Sequence, residues 1–458
     1  MTDFPSSPEE FYRLRDDRTN RCVSSGAYQQ VHCAVYLAPD RAETADGQLM
    51  LFAAANLLSR WCRRVTIALP ASVAVSEVGS GDLGELVLSQ MRDADPFGDF
   101  RTVDIATAIR SDAALCVGSW VPGANTPSVF IDASGWLAAL SHSQVVSLPP
   151  SHSANRFGAI MAGCLGVAQL FKTAVGMPVE RRFREGTFDV SRLGWLEDPP
   201  LGWPTDLEVG KVLMVGAGSV GSATAYCARL IGLRGSMDVV DRDTSKVENF
   251  NRSPIFGRAT FGQTKARAVA HYLDGSGLSA TPVDEWWSEF VQRKGRLSFD
   301  YDVWLPLANE FDVRRSMQQN GPPLMVHAST GVNWGVNHGR HVPGLDDCLV
   351  DRFPSDGAGA RLICSTAQVM TTVGGVDAAL PFASMFAGLL IVADLVRAQL
   401  PDYPQVANLG TFDLYGPMDL IQLSNRSPRP GCLCRDQGRA FHDRFNSTSR
   451  YRKYFSPV

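Results

Sequence analysis

The 458-residue sequence predicts an α/β fold in which two doubly wound units follow one another, the first of them degenerate. Three observations predict it. "KVLMVGAGSVGSATAYCARLIGL" reads as an apolar strand, a glycine-rich turn and a small-residue helix, and "GSMDVVDRD" as a second strand ending in acids. "VHCAVYLAPDRAETADGQLMLFAAANLLSRW" and "CRRVTIALP" repeat the strand–helix–strand rhythm in the first half, without the glycine turn. Each half then closes on a long apolar helix, in "NRFGAIMAGCLGVAQLFKTAVG" and "PFASMFAGLLIVADLVRAQL". The two sets recur at a nearly constant offset, so a duplicated unit is expected. The connector "RLGWLEDPPLGWPTDLEVG" is rich in Pro, Gly and Trp and marks the boundary, giving units over 1–195 and 196–458.

Composition narrows the class. The chain is 45% hydrophobic and 20% charged, ordinary for a globular protein, and its net charge of −4 provides no electrostatic footprint for nucleic acid. The polar, acidic start "MTDFPSSPEEFYRLRDD" lacks the pattern of a secretory signal. "ALPFASMFAGLLIVADLV" raises a membrane question, but Pro381 and Ser384 interrupt it and "ADLVRAQ" ends it, so a buried helix is expected. The expected setting is cytoplasmic, with no membrane partner. Ten cysteines in this length do not suggest a disulfide scaffold. Cys22, Cys33, Cys62, Cys116, Cys164 and Cys227 are scattered, several among apolar neighbours, and are assigned to core packing.

In "GAGSVGS", Gly216 suits a tight turn, Gly218 admits phosphate, and Gly221 lets the helix pack closely on the strand, as in Rossmann-like units. Asp241 follows 20 residues after Gly221, where an acid meets a ribose. A dinucleotide site would stop there. Here Asp243 adds a second acid at i+2, which on an extended segment faces the same way and can help hold Mg²⁺. Asn249, Asn251, Arg252 and Lys265 add donors and cations suited to phosphate oxygens. Hydride transfer needs none of these. Cleavage between the α- and β-phosphates does, because charge gathers on the leaving pyrophosphate.

"VVDRDTSKVENFNRSPIFGRATFGQTKA" resembles the adenylation signature of the ThiF, MoeB and ubiquitin-activating enzymes, roughly D-x-D-x5-N-x-N-R-Q with a lysine downstream. Asp241, Asp243, Asn249, Asn251, Arg252 and Lys265 match it, and Ser253 stands where glutamine is usual. The resemblance implies two Rossmann-like adenylation domains in tandem, an inactive one followed by an active one, with ATP and Mg²⁺ bound by the second. It implies that "DDRTNRCVSSGAYQQV" lends an arginine to the ATP phosphates, with Arg21 the best match and Arg18 its neighbour. One departure stands out. In "VWLPLANEFDVRRS", Asn309 replaces the family's Mg²⁺-binding aspartate while Arg314 keeps its place, and Glu310, Asp312 or Asp243 must compensate if adenylation is to run.

The same resemblance places a nucleophilic cysteine in the segment "GARLICSTAQVMTTVGGVDAALPF", at Cys364, with Arg361 near it. Zinc-binding relatives use two C-x-x-C pairs. Here Cys348, Asp351, Cys432 and Cys434 make a partial set, open between a structural Zn²⁺ site and three reduced cysteines without metal. The expected function is adenylation of the C-terminus of a ubiquitin-like protein, thioester formation on Cys364, and transfer to a separate conjugating enzyme. The tandem pair forms one complete unit, although two such chains can still associate as a homodimer. Alternatives are adenylation of a sulfur carrier, small molecule or peptide without a thioester, and a non-catalytic nucleotide-binding scaffold.

Overall fold

The computed structural model describes the chain apart from residues 1–2, 24–25, 72, 75–78, 124–125, 152, 196–197, 205, 296, 298–299, 332–333, 354–379, 401–406, 420, 433–450 and 452–458. Two sheets organise it. The first contains β1 (His32–Leu37), β2 (Arg64–Leu69), β3 (Asp99–Asp104), β4 (Ala113–Val117), β5 (Ser128–Ser134), β6 (Leu137–Ser141), β7 (Gly186–Asp189) and β8 (Gly194–Trp195), in the order β3-β2-β1-β4-β5-β6-β7-β8. The second contains β9 (Glu208–Val215), β10 (Arg234–Val240), β11 (Leu278–Val283), β12 (Val303–Pro306), β13 (Met325–Thr330), β14 (Gly335–His341), β15 (Leu409–Asp413) and β16 (Gln422–Ser424), in the order β11-β10-β9-β12-β13-β14-β15-β16. The two orders match strand for strand. In each sheet the first five strands run parallel and the last three are antiparallel. The duplicated sequence rhythm is therefore a duplicated topology.

Helices cover the sheets. The first unit contributes α1 (Pro8–Arg15), α2 (Asp17–Cys22), α3 (Pro39–Ala42), α4 (Ala45–Leu58), α5 (Leu83–Ala94) and α6 (Phe157–Ala174). The second contributes α7 (Ser219–Ile231), α8 (Val247–Phe250), α9 (Lys265–Leu273), α10 (Trp287–Lys294), α11 (Phe311–Gln319), α12 (Leu349–Arg352) and α13 (Pro381–Arg397). Local chemistry sets the ends of these helices. Thr44 caps α4 by accepting the Gly47 N–H at 3.1 Å. Pro381 opens α13, where its missing N–H costs nothing, and Gly232 at φ +80° closes α7 in the left-handed conformation.

α4 lies against α6 in the first unit as α7 lies against α13 in the second, and α6 meets α13 across the middle. Their apolar surfaces merge into one core that spans both units. Phe171 of the first unit, edge-on to Trp61, meets Trp334 and Phe382 of the second at 5.5 and 5.7 Å between ring centroids. Polar links add to it: Lys172 Nζ donates to Gly416 O at 2.7 Å and Trp195 Nε1 to Met418 O at 2.9 Å. Every residue of α13 is buried, which accounts for its apolar run as core. α6 is long and apolar enough to cross a membrane by length and composition, yet 89% of it lies inside the fold. Cys33, Cys62, Cys116, Cys164 and Cys227 are buried free thiols, as their apolar surroundings predict.

Candidate active site

The parallel strands β9, β10 and β12 end on one edge of the second sheet, and the chain leaving each of them builds the site. After β9 comes Gly216, at φ +99°. A Cβ there would stand 2.5 Å from Ala308 N, and one on Gly221 would stand 2.3 Å from Gly216 O. No other residue fits either place. Gly218, the N-cap of α7, has nothing within 4 Å of where its Cβ would lie. The first and third glycines thus satisfy packing, whereas the second leaves an open cradle beneath the first-turn amides of α7, which carry partial positive charge.

β10 ends at Val240, so Asp241 and Asp243 sit on a turn rather than on the extended segment the sequence suggested. Asp241 makes that turn. Its Oδ1 accepts the Asp243 N–H at 2.9 Å, and its Oδ2 accepts the Ala217 N–H at 2.7 Å, tying the acid to the glycine loop. Burial pushes the Asp241 carboxyl above its usual range, while the Lys265 charge and the two amides draw it back. Asp243 pairs with Lys265 Nζ at 2.7 Å, its own side chain 55% exposed and free to turn toward a ligand. The Lys265 N–H also donates to Asp243 O at 2.7 Å, so the lysine is fixed by main chain and side chain alike.

The polar turn follows. Asn249 Oδ1 accepts the Lys246 N–H at 3.0 Å and caps α8. Asn251 is fully buried. Its Nδ2 donates to Thr19 Oγ1 at 3.1 Å, and its Oδ1 accepts from Arg252 Nη1 at 2.9 Å. Thr19 belongs to α2, so the first unit reaches the site at the place the sequence marked. The contact is made by Thr19, however, and Arg21 pairs with Asp17 at 2.8 Å with both side chains 48% exposed. Past β12, the Leu307 and Ala308 amides donate to Val215 O at 2.8 Å, which sets the exposed Asn309 beside the glycine loop. Arg314 lies over the Phe353 ring at 4.4 Å, and burial lowers its pKa although Glu310 opposes this.

Cys364 and Arg361 lie outside the described residues, as does Cys434. Of the four residues assigned to a metal, the structure brings two together: Cys348 and Cys432 meet as a disulfide across 84 residues, with Cα atoms 6.7 Å apart. Asp351 faces Arg429, at 3.6 Å. Among the described residues no group of three or more His, Cys, Asp or Glu side chains is arranged to hold a metal ion.

The glycine cradle, the tethered Asp241 and the Asn251–Arg252 turn thus lie where the chain leaves β9 and β10. The model of the ThiF family matches residues 204–432. The chain belongs to the ThiF family. Upstream, the model of the BilD N-terminal domain matches residues 32–185. The uncharacterized protein y4jF of Sinorhizobium fredii (strain NBRC 101917 / NGR234) is 28% identical over 211 residues, 44% of this chain and 40% of that protein. The NEDD8-activating enzyme E1 catalytic subunit of Dictyostelium discoideum is 36% identical over 74 residues, 16% of each chain. The chain thus spans less than half the length of the curated relatives it matches. Among solved structures, E. coli MccB with ATP is 16% identical at a TM-score of 0.38, covering 49% of this chain and 65% of that one.

Several residues around the ThiF-type site had no sequence signal of their own. Thr19 is one of many hydroxyls in its segment. Asp284, which accepts from Thr264 Oγ1 and Arg267 Nε, sits outside the quoted signature and braces the start of α9 beneath Lys265. Asn56 and Arg60 come from the first unit, nearly 200 residues from the turn they touch.

Proposed function

We propose that the chain activates the C-terminus of a ubiquitin-like protein with ATP. The observation that carries this reading is the convergence, on one sheet edge, of an open glycine cradle, Asp241, the Asp243–Lys265 pair and the Asn251–Arg252 turn. The cradle suits phosphate, and Asp241 suits the ribose hydroxyls, since each of its oxygens keeps a free lone pair. Arg252 and Lys265 supply positive charge where pyrophosphate leaves. Arg18 or Arg21 of α2 would add to it on turning inward.

The carboxylate of the carrier attacks the α-phosphorus, the bond from that phosphorus to the bridging oxygen breaks, and pyrophosphate departs. The product is an acyl adenylate. The Cys364 thiolate then attacks the acyl carbon, AMP leaves with its bonding electrons, and a thioester remains for the cysteine of a separate conjugating enzyme. Asp243, with Asn309 and Glu310, would hold Mg²⁺, which when bound would neutralise phosphate charge. Asn309 brings no charge of its own, so Asp243 carries more of that task.

The test is ATP–pyrophosphate exchange with candidate ubiquitin-like proteins, followed by non-reducing gels of wild type and Cys364→Ala. Exchange with a thiol-sensitive adduct that the variant lacks is the expected result. Exchange without an adduct would remove the thioester step and leave adenylation of a carrier or peptide. ATP binding without exchange for any carboxylate would leave the scaffold reading.

A further inference from the structure

The residue after Ser59, just past the end of α4, is Arg60, whose side chain is fully buried. Its guanidinium makes no ion pair with a carboxylate among the described residues. It donates instead to main-chain oxygens of the second unit: Nη1 to Phe250 O at 2.7 Å and Phe256 O at 2.9 Å, and Nη2 to Pro254 O. Nε donates to Asn56 Oδ1 at 2.9 Å. Asn56 in turn donates to Pro254 O at 2.9 Å and to Gln90 Oε1 at 3.0 Å. Four hydrogen bonds from two side chains thus converge on one short turn, and that turn carries Asn251 and Arg252.

The arrangement is costly unless it is used. A buried guanidinium with only carbonyl partners bears a desolvation penalty, and burial lowers its pKa to about 10, still charged at neutral pH. Apolar side chains would close this interface more cheaply. The duplication supplies the comparison: counted from the helix end, the place of Arg60 after α7 is taken by the buried Leu233. The first unit therefore carries a cation where the second carries a hydrophobe, on the side that faces the polar turn.

We propose that Arg60, with Asn56, is a positioning residue through which the first unit holds the Phe250–Phe256 turn in the shape in which the buried Asn251 steers Arg252 toward nucleotide phosphate. This rests on the reading of the second unit as an ATP site. A guanidinium is suited to the task because its rigid fork reaches three carbonyls at once, which a lysine cannot do. Without it the Phe250 and Phe256 carbonyls lose this donor, Pro254 O keeps only Asn56, and the turn relaxes toward water. Arg60 then acts on the reaction without itself touching the substrate.

The test is MgATP affinity by calorimetry on the full chain, for wild type, Arg60→Met, Arg60→Lys, Asn56→Ala, Asn251→Ala and Arg60→Met with Asn251→Ala. Circular dichroism and urea midpoints confirm that each is folded. Arg60→Met is expected to weaken MgATP binding between about fivefold and about a hundredfold. Arg60→Lys should recover part of that loss, and Asn56→Ala should show a smaller shift in the same direction. Because Arg60 acts through the turn, adding Asn251→Ala to Arg60→Met should cost less than the sum of the two single effects. Unchanged affinity in folded Arg60→Met, or additive losses in the double variant, overturns the proposal while the ATP reading stands. Failure of the wild type to bind MgATP overturns both. If Arg60→Met does not fold, Arg60→Lys and Asn56→Ala decide, and unchanged affinity in both overturns the proposal.

Discussion

In the first unit β1 runs into Pro39 and the four-residue helix α3, and Arg41 turns back over the sheet to Asp132 on β5 at 2.5 Å and to Leu148 O at 2.6 Å. In the second, β9 runs into Gly216 and the chain passes through Gly218 straight into α7. Strand order and direction are otherwise the same. A Cβ on Gly118, at the end of β4, would lie 2.6 Å from Arg41 Cγ, so the arginine fills the crevice above β1, β4 and β5. The equivalent crevice of the second unit is left open at Gly218. One turn therefore separates a unit that satisfies its own strand ends from one that leaves them open.

That difference is testable from both sides. The largest effect is expected from Arg41→Met, which strands the buried Asp132 and should cost about 3–5 kcal/mol in urea unfolding, with pyrophosphate exchange per folded molecule unchanged. A loss of exchange beyond the unfolded fraction would show that the first crevice takes part in the reaction. Arg252→Ala removes a donor from the buried Asn251 Oδ1 and should cost about 1–3 kcal/mol in urea unfolding, while exchange per folded molecule falls about 10²–10³-fold, the usual cost of removing a group that stabilises developing charge. Wild-type exchange in this variant would move the chemistry away from the polar turn.

Within the glycine loop the contrast is finer. Gly221→Ala drives a methyl into Gly216 O and should destabilise the fold by about 1–3 kcal/mol. Gly218→Ala meets open space, so the fold should hold while MgATP affinity falls. Equal stability losses in the two would mean that the cradle is structural.

A further contrast concerns acid. The second unit buries His327, His338 and His341 on the β13–β14 pair. Burial lowers all three, His338 to about 4 and His341 to about 3, while Asp394 partly opposes the shift at His338. The unfolded chain takes up these protons near the ordinary histidine value and the folded chain does not. Stability is therefore full above the unfolded value near pH 6.5 and is lost as pH falls toward 4, by about 1.4 kcal/mol per pH unit for each proton taken up. Urea midpoints across that window should fall, and His338→Asn should flatten the slope. An unchanged slope would show that His338 is not the proton acceptor.

The sequence by itself determined the two-unit α/β plan, because strand, helix and turn chemistry are local and the duplication repeats them. It also marked Asp241, Asp243, Asn249, Asn251, Arg252 and Lys265, since they fall in one continuous stretch that resembles the ThiF adenylation signature. Only the tertiary structure decided how these groups are held. Asp241 bends the chain through its own carboxylate, which no spacing reveals. Thr19, Asn56 and Arg60 reach the turn from another unit, and a contact across nearly 200 residues leaves no periodic trace in the chain. The pairing of Cys348 with Cys432 came from the same source: four cysteines in polar contexts permit several partnerships, and the packing of α12 against the segment after β16 selects one.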